Sequence, residues 1–284
     1  MIYRTCTALA ALAITLSAIS PAAAQDDLPK QPTVFDGDFL TVGAGAAITP
    51  SYEGSDDYIV TPVPAVAGRI GGVGITPRAA GVALDFINDP DDAKIKMQLG
   101  PVVRLRFGRT RSIKDDVVAR LGELDTAVEV GGNLGISITG ITNPYDSLTF
   151  SVDARWDVAG AHRGEVFAPN ATFQTPLSRG SFAALNISGE YVDDNYADYY
   201  FGVSQAGSVA SGLRPYQARG GWKNVSGGLI GAIDLDGDLT NGGWAIFAAG
   251  NYSRLLGSFE RSPIVADRGS ANQWTGALGI GYTF

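Results

Sequence analysis

The sequence predicts an all-β fold, a closed antiparallel transmembrane β-barrel of about twelve strands preceded by a cleaved signal peptide. Segment 274–284 places large apolar or aromatic side chains on one alternating set: Trp274, Leu278, Ile280, Tyr282 and Phe284. Strands in a bilayer alternate in this way, with large side chains toward lipid and small or polar ones toward the lumen. Hydrophobic residues make up 45% of the chain, yet no stretch after residue 24 approaches the roughly 18 apolar residues of a membrane-spanning helix. The apolar residues are therefore spread over alternating positions of many strands and are not concentrated in a membrane-spanning helix.

The N-terminal residues have the composition of an export signal. Arg4 supplies a positive charge, residues 8–19 form an apolar core, and three alanines at 22–24 precede Gln25. We expect residues 1–24 to be a signal peptide, residues 25–38 a short periplasmic segment and residues 39–284 the barrel. Cys6 is the only cysteine and lies within the expected signal, so the mature protein is expected to have no thiol, disulfide or lipid anchor.

Period-two alternation predicts the individual strands. It is strongest at residues 95–107 and 148–158, which are long enough to cross a bilayer with tilt and longer than the strands of most soluble sandwiches. Weaker alternation covers residues 39–49, 58–69, 73–86, 125–138, 165–176, 182–191, 225–235 and 244–254. With residues 274–284 these make eleven, whereas bacterial barrels have an even number of strands. A short strand at residues 199–204 gives the prediction of twelve, with ten as the alternative if two weak segments are loops.

Turn-forming residues separate several of these strands, as at Gly71-Gly72, Asn143-Pro144 and Asp236-Gly237. Longer connections are expected at residues 109–124 and 193–222. Alternating orientation from the N-terminus places loop 109–124 in the periplasm and the short turn 178–180 outside. Because bacterial barrels have long outer loops and short periplasmic turns, this leaves the sidedness open.

The two faces of the strands differ in chemistry. The inward set carries charges of both signs, which must pair or be hydrated: Lys96, Arg104, Arg106, Glu129, Asp153, Arg155 and Asp157. A lumen filled by side chains and loops favours a scaffold or receptor, whereas a wet lumen favours a narrow diffusion channel. Aromatic residues predicted to anchor the barrel at the lipid–water interfaces are Phe86, Phe107, Trp156, Trp244, Tyr252, Trp274, Tyr282 and Phe284.

Catalytic and metal-binding patterns are weak. His162 is the only histidine and no feature pairs it with a serine, so an ordinary loop histidine is favoured over a hydrolase base and no catalytic residue is assigned. The segment from Asp234 to Asp238 resembles the start of a calcium loop, but its twelfth position is Ala245 instead of Glu. No cofactor or metal is expected. With 29 acidic against 21 basic residues, no nucleic-acid partner is expected either.

Short blocks along the chain carry closely spaced aromatic, glycine, serine and proline residues. Their members are Pro50, Tyr52, Gly54, Ser55, Asp56 and Tyr58 in the first, Tyr200, Phe201, Gly202 and Val203 in the central one, and Ser262 and Pro263 in the last. In this order, and with the barrel-type terminus, these blocks closely resemble the MipA/OmpV family of outer-membrane proteins.

The resemblance implies a monomeric barrel in the outer membrane of a Gram-negative bacterium. It implies a non-enzymatic scaffold that links a murein lytic transglycosylase to a peptidoglycan synthase in cell-wall growth. Outer-membrane lipid and the barrel-assembly machinery are further expected partners, with Tyr282 and Phe284 as the assembly signal. The alternative is a narrow channel or receptor for small solutes, which would be cationic if the acidic loops fold into the barrel mouth.

Overall fold

A computed structural model describes residues 33–90, 92–110 and 112–284, and the expected signal peptide lies outside these ranges. The described residues form a closed antiparallel barrel of twelve strands, in which β1 and β12 complete the ring. The strands are β1 (Phe39–Pro50), β2 (Tyr58–Ile70), β3 (Val73–Arg78), β4 (Gly81–Asp85), β5 (Ile95–Arg106), β6 (Ala127–Thr139), β7 (Ser147–Asp157), β8 (Glu165–Ser178), β9 (Ser181–Val192), β10 (Gly221–Asp234), β11 (Gly243–Leu255) and β12 (Asn272–Thr283).

The alternation seen in the sequence becomes the two faces of the barrel wall. In β5, Ile95, Met97 and Leu99 are exposed on the outside, whereas Arg106 is buried in the lumen. The outer face of β5 is therefore apolar, as a strand surface in contact with lipid must be. Among the described residues, no helix combines the length and the apolar character needed to cross a membrane.

The predicted number of strands is confirmed, but two of the predicted strands are wrong. Residues 73–86 form the hairpin β3–β4, which turns at Ala79 and Ala80 with Ala80 at φ 53°. Residues 199–204 belong to no strand of the ring, because α2 (Asp194–Phe201) begins after the capping side chain of Asp193, which accepts a hydrogen bond from the Tyr196 amide. One missed strand and one false strand cancel in the count.

The extra hairpin reverses the predicted direction of the five strands from β5 to β9, and the absence of a strand at residues 199–204 restores the predicted direction from β10 onward. The connections 51–57, 107–126, 158–164, 193–220 and 256–271 now leave one end of the barrel, which we call the long-loop end. The connections 71–72, 86–94, 140–146, 179–180 and 235–242 leave the opposite, short-turn end. Loop 109–124 and turn 178–180 therefore lie at opposite ends, in the arrangement that bacterial barrels have.

The long loops pack together over their end of the barrel into a structure that we call the cap. Besides α2, its helices are α1 (Asp116–Ala119), α3 (Gln205–Ser211), α4 (Gly257–Glu260) and α5 (Pro263–Ala266). Asp115 starts α1 by accepting hydrogen bonds from the Val117 and Val118 amides at 2.9 and 2.8 Å. The buried apolar clusters lie largely in the cap, where loops from different parts of the chain meet.

The barrel wall is lowest at the β3–β4 hairpin. Its strands have 6 and 5 residues, whereas the flanking β2 and β5 have 13 and 12. Within the described residues, β2 pairs with β3 only from Gly68 to Ile70, so residues 58–67 pair with β1 alone. We call the free side of residues 58–67 the open edge of β2.

Prolines occupy the open edge of β2. The Ser51 amide donates a hydrogen bond to Asp57 O, which fixes the hydrogen-bonding phase of the β1–β2 register. The backbone N–H and C=O groups of odd-numbered β2 residues therefore point toward β1, and those of even-numbered residues point toward the open edge. Pro62 and Pro64 therefore face this edge. Because proline has no N–H, these positions leave no backbone donor without a partner.

Aromatic side chains cluster on the outer surface near both ends of the strands. Tyr282 contacts Trp244 and Phe284, with ring centroids 5.1 and 4.7 Å apart, at the short-turn end. Tyr252 and Trp274 form a pair at 4.8 Å at the long-loop end. Their positions are those of interfacial girdles.

Candidate functional site

Charged side chains fill the lumen just below the cap. We call this group the lumen network, and its members are Arg78, Arg104, Arg106, Arg155, Lys223, Glu53, Glu129, Asp153 and Glu190. Most of them lie at inward positions of neighbouring strands, where the alternation places them. Their side chains converge because the wall curves around a narrow interior.

Glu129 on β6 joins the network to the two adjacent strands. Arg106 Nε on β5 lies 2.6 Å from one carboxylate oxygen and Arg155 Nε on β7 lies 3.0 Å from the other. Glu129 and Arg155 have 0% and 2% of their side chains exposed. A buried carboxylate between two guanidinium groups is compensated, because each oxygen accepts a charge-assisted hydrogen bond.

Glu190 on β9 is the centre of the network. Its Oε1 accepts from Arg104 at 2.6 Å and from Arg106 and Arg155 at 3.0 Å each. Its second oxygen accepts from Lys223 on β10. Four cations therefore share this carboxylate, and for Arg104 it is the only carboxylate partner among the described residues.

Glu53 brings the β1–β2 loop into the same network. Its carboxylate accepts from Lys223, from Arg106 at 3.4 Å and from the hydroxyl of Tyr196 at 2.8 Å. Burial acts to raise the pKa of Glu53, but Lys223 and Arg106 outweigh it and hold this pKa below its usual value. An ionised Glu53 ties both a loop and, through Tyr196, helix α2 to the barrel wall.

Asp153 on β7 fixes the short hairpin. Arg78 at the end of β3 reaches across the lumen and donates from Nε at 2.9 Å, and Arg155 donates from Nη1 at 3.1 Å. The side-chain amide of Asn133 donates to the other oxygen at 2.6 Å. The tip of the β3–β4 hairpin is thus anchored to β7, four strands farther around the ring.

His162 is part of the packing around this network. Its Nδ1 accepts a hydrogen bond from the Gly164 amide at 3.0 Å, and its Nε2 lies 3.4 Å from Glu129. The imidazole is buried against the ring of Tyr196, with centroids 5.0 Å apart. Since Nδ1 is occupied by a backbone donor, this geometry suits a structural histidine.

Burial within the network is graded. Lys223, Glu129, Arg155 and Arg106 are 0–5% exposed, whereas Glu53 is 34% exposed. The deeply buried members form a plug across the lumen, and the cap covers it. The ion pairs and hydrogen bonds of the network hold the β1–β2 loop and helix α2 against the barrel wall.

The residues of the first sequence block meet those of the last in the cap. Tyr52 is 4% exposed and packs in a cluster with Val203 and Ile264, so it does not lie at the membrane interface. Gly54 has φ 96°, and a Cβ atom there would lie 2.4 Å from Cγ2 of Val265. Only glycine fits this contact between two loops.

The central block joins the same assembly. Phe201 stacks edge-on with Phe259 at 5.1 Å, and its carbonyl accepts a hydrogen bond from Ser262 at 2.6 Å. Of the remaining block residues, Pro50 ends β1, Ser55 is buried beside Ser51, Asp56 is exposed, Tyr58 begins β2, Tyr200 is buried in α2, Gly202 ends α2, Val203 bridges to Tyr216 and Pro263 begins α5. Blocks distant in the sequence therefore build one structure, and a functional role for their residues stays a prediction.

Sequence reasoning found part of the network and missed part. Arg104, Arg106, Glu129, Asp153 and Arg155 belong to it as the alternation indicated, whereas Lys96 and Asp157 form none of its ion pairs. Glu53, Arg78, Glu190 and Lys223 were missed. The alternation in residues 182–191 could have predicted that Glu190 faces inward. Lys223 was not predictable in this way because it precedes the predicted start of its strand, and Arg78 was not because it lies in the hairpin that was predicted as a single strand.

The segment that resembles a calcium loop is a turn. Asp234 Oδ1 accepts hydrogen bonds from the amides of Asp236 and Gly237 at 2.8 and 3.0 Å. Across the described ranges, no group of three or more His, Cys, Asp or Glu residues has the geometry of a metal site. This carboxylate stabilises the connection between β10 and β11.

Comparisons with known proteins place these features in context. The family described as MltA-interacting protein MipA matches residues 42–284. The MltA-interacting proteins of Escherichia coli (strain K12) and Shigella flexneri are each 27% identical over 139 residues, which is 49% of this chain and 47% of theirs. The match spans about half the length of these curated relatives.

Among solved structures, the barrel is similar to outer-membrane channels. The CymD monoaromatic hydrocarbon channel is 12% identical with a TM-score of 0.38, covering 88% of this chain and 89% of that one. An outer membrane channel from Pseudomonas putida F1 is 14% identical with a TM-score of 0.41, covering 91% and 100%. Because the family match covers nearly all of the barrel, the chain belongs to the MipA family and is an outer-membrane β-barrel protein of a Gram-negative bacterium.

Proposed function

We propose that this protein is a non-enzymatic scaffold that brings a murein lytic transglycosylase and a peptidoglycan synthase together at the outer membrane. The observation that carries the proposal is the plugged lumen, in which Glu129, Arg155 and Lys223 are almost fully buried beneath the cap. A barrel closed in this way acts through its surfaces. The name of the curated relatives, MltA-interacting protein, supports a murein-enzyme partner.

The short-turn end is the contact face in this proposal. Long loops of bacterial barrels are extracellular and short turns periplasmic, and cell-wall enzymes act in the periplasm. Asp146 organises the 140–146 turn by accepting from the Ile141 and Thr142 amides at 2.7 and 2.8 Å. Arg179 joins the neighbouring turn to Asp238 at 2.8 Å. A preordered face of this kind binds a partner without a large entropic cost.

Binding to purified partners tests the scaffold. Tyr145 is 69% exposed at the short-turn end, and Val209 is 81% exposed in α3 of the cap. We expect the wild-type barrel to retain a purified lytic transglycosylase and a purified synthase from the same genome, Tyr145→Ala to weaken retention, and Val209→Ala to leave it unchanged. Absence of retention by a barrel with normal heat-modifiable gel migration rejects the scaffold.

The open edge of β2 favours a second candidate function, access of small apolar solutes to the lumen from the side. Above the β3–β4 hairpin, inward-facing Val63 and Ala65 are partly exposed, and their strand pairs with β1 alone within the described residues. The outer rim of this region is apolar, with Val60 71% exposed. A solute entering here meets the lumen network from the side, next to Arg78 at the end of β3.

Lipid cross-linking tests this lateral route. A photoreactive benzophenone side chain at Val63 points inward at the open edge, whereas one at Ala277 points inward between two paired strands. In lipid vesicles we expect labelling of lipid from position 63 and none from position 277, with the outward position Val60 as a positive control. Equal absence of labelling at positions 63 and 277 contradicts lateral access.

A further inference from the structure

Arg109 is a buried cation outside the lumen network. Its side chain is 5% exposed, and Nε and Nη1 are shielded from solvent without a hydrogen-bond partner among the described residues. Every cation of the lumen network, by contrast, contacts a carboxylate. The fold therefore supplies a counter-charge to those groups and none to Arg109 within the part of the chain described.

The surrounding structure holds Arg109 in this position. Its backbone has φ 57°, a left-handed conformation that is costly for a residue with a Cβ atom, and its carbonyl accepts a hydrogen bond from the Leu124 amide at 3.0 Å. Burial lowers the pKa of Arg109, and the nearby hydroxyls of Tyr52 and Tyr199 act against this shift. A buried cation without a partner is costly, and an anion bound beside it removes that cost.

Arg109 borders a pocket of about 500 Å³ in the cap. Leu121, Val203, Tyr199 and Tyr216 contribute apolar and aromatic walls. These walls are fixed, because Val203 and Tyr216 exchange two backbone hydrogen bonds of 2.7 and 2.9 Å and the Tyr216 hydroxyl donates to Ser258 O at 2.7 Å. The pocket thus combines one cation with a fixed apolar and aromatic patch, and polar residues such as Ser204 and Gln217 complete its lining.

We infer that this pocket binds a small organic acid with a single carboxylate and an apolar body. The planar guanidinium of Arg109 matches a carboxylate in shape and charge. The apolar body is placed against Leu121 and the rings of Tyr199 and Tyr216. Asp198 also borders the pocket, and its negative charge acts against a ligand with two negative charges more strongly than against one with a single charge. This site is independent of the proposed scaffold, and its ligand is anionic instead of cationic.

Ligand-dependent thermal stability tests the site. The probes are sodium benzoate, neutral benzamide and inorganic phosphate, each compared with chloride at constant ionic strength on the full barrel in detergent. We expect benzoate alone to raise the Tm of the wild type, by about 2 °C or more. Arg109→Met is expected to abolish the benzoate shift. Arg120→Met, which removes an exposed arginine at the end of α1, is expected to keep it.

Two further measurements keep the inference falsifiable. Removing an uncompensated buried charge stabilises a protein, so Arg109→Met in chloride is expected to have a higher Tm than the wild type. Leu121→Trp keeps Arg109 but fills the pocket, and is expected to lose the benzoate shift. An equal shift with benzamide or phosphate, a benzoate shift that persists in Arg109→Met, or no benzoate shift in the wild type overturns the inference.

Discussion

At the scale of single residues, the protein is defined by charges that it buries. Glu190 illustrates the rule, because it accepts hydrogen bonds from three arginines and from Lys223 inside a membrane barrel. Removing one partner of such a group is costly, since the remaining charges keep their desolvation penalty without compensation. The alternation predicted which strand positions carry inward charges. It does not predict which of these charges form ion pairs, because that depends on distances across the lumen.

Replacing Glu190 by glutamine is expected to destabilise the barrel strongly. The change keeps the shape of the side chain and leaves Arg104, Arg106 and Lys223 short of a counter-charge, so a loss of about 3–5 kcal/mol in the free energy of unfolding is expected. Urea unfolding followed by tryptophan fluorescence in lipid vesicles measures it. The control Glu260→Gln breaks the partly exposed pair with Arg254 and is expected to cost less than about 1 kcal/mol. Equal effects of the two changes contradict the account.

Asp115 makes the cap sensitive to acid. Burial acts to raise its pKa, but the hydrogen bond from Arg268 and those from the Val118 and Val117 amides outweigh it and hold the pKa below its usual value. A depressed carboxyl pKa stabilises the fold above the ordinary pKa, and this stabilisation is lost as the pH falls through the lowered value. We expect proteolysis of loop 107–126 to increase as the pH falls below about 4. Asp115→Asn is expected to be cleaved faster at neutral pH and to show a weaker pH dependence, and an unchanged pH profile in that variant contradicts this assignment.

At the scale of elements, the strands were predictable and the loops were not. Strands such as β5 and β7 are visible in the sequence because each must present an apolar face to lipid over its length. The β3–β4 hairpin turns at Ala79 and Ala80, which are not turn-forming residues, although Pro77 and Gly81 flank them. The apolar set also moves from odd positions before the turn to even positions after it, a change of phase inside what was predicted as a single weak strand. Residues 199–204, which include the end of α2, were predicted as a strand. The helix-capping residue Asp193 indicates a helix start, but a search for period-two alternation does not detect such a residue.

The prolines of β2 are expected to protect its open edge. Changing Pro62 and Pro64 together to threonine restores two N–H groups that face no partner strand, and in a bilayer each such donor is costly. We expect the double variant to lose its folded gel mobility at a lower temperature than the wild type when reconstituted in lipid. Val60→Thr lies on the same side of the same strand and introduces the same side chain without adding a backbone N–H, so it serves as the matched control. A double variant as stable as this control contradicts the open edge.

At the scale of the whole molecule, the strands form the barrel wall and the sequence blocks form the cap. The barrel provides a lipid-facing wall, and the blocks around Tyr52, Phe201 and Pro263 fold into one cap. Their resemblance to a family indicated that these residues matter, but contacts between positions about 200 residues apart require the closed ring to bring them together. The lumen network then joins cap and wall through Glu53 and Tyr196.

Conductance in planar lipid bilayers tests the central claim most directly. If the network and the cap close the lumen, the folded wild-type protein inserts without producing a steady transmembrane current. A steady open current from wild-type protein with normal heat-modifiable migration would contradict the plugged barrel, and the scaffold proposal that rests on it.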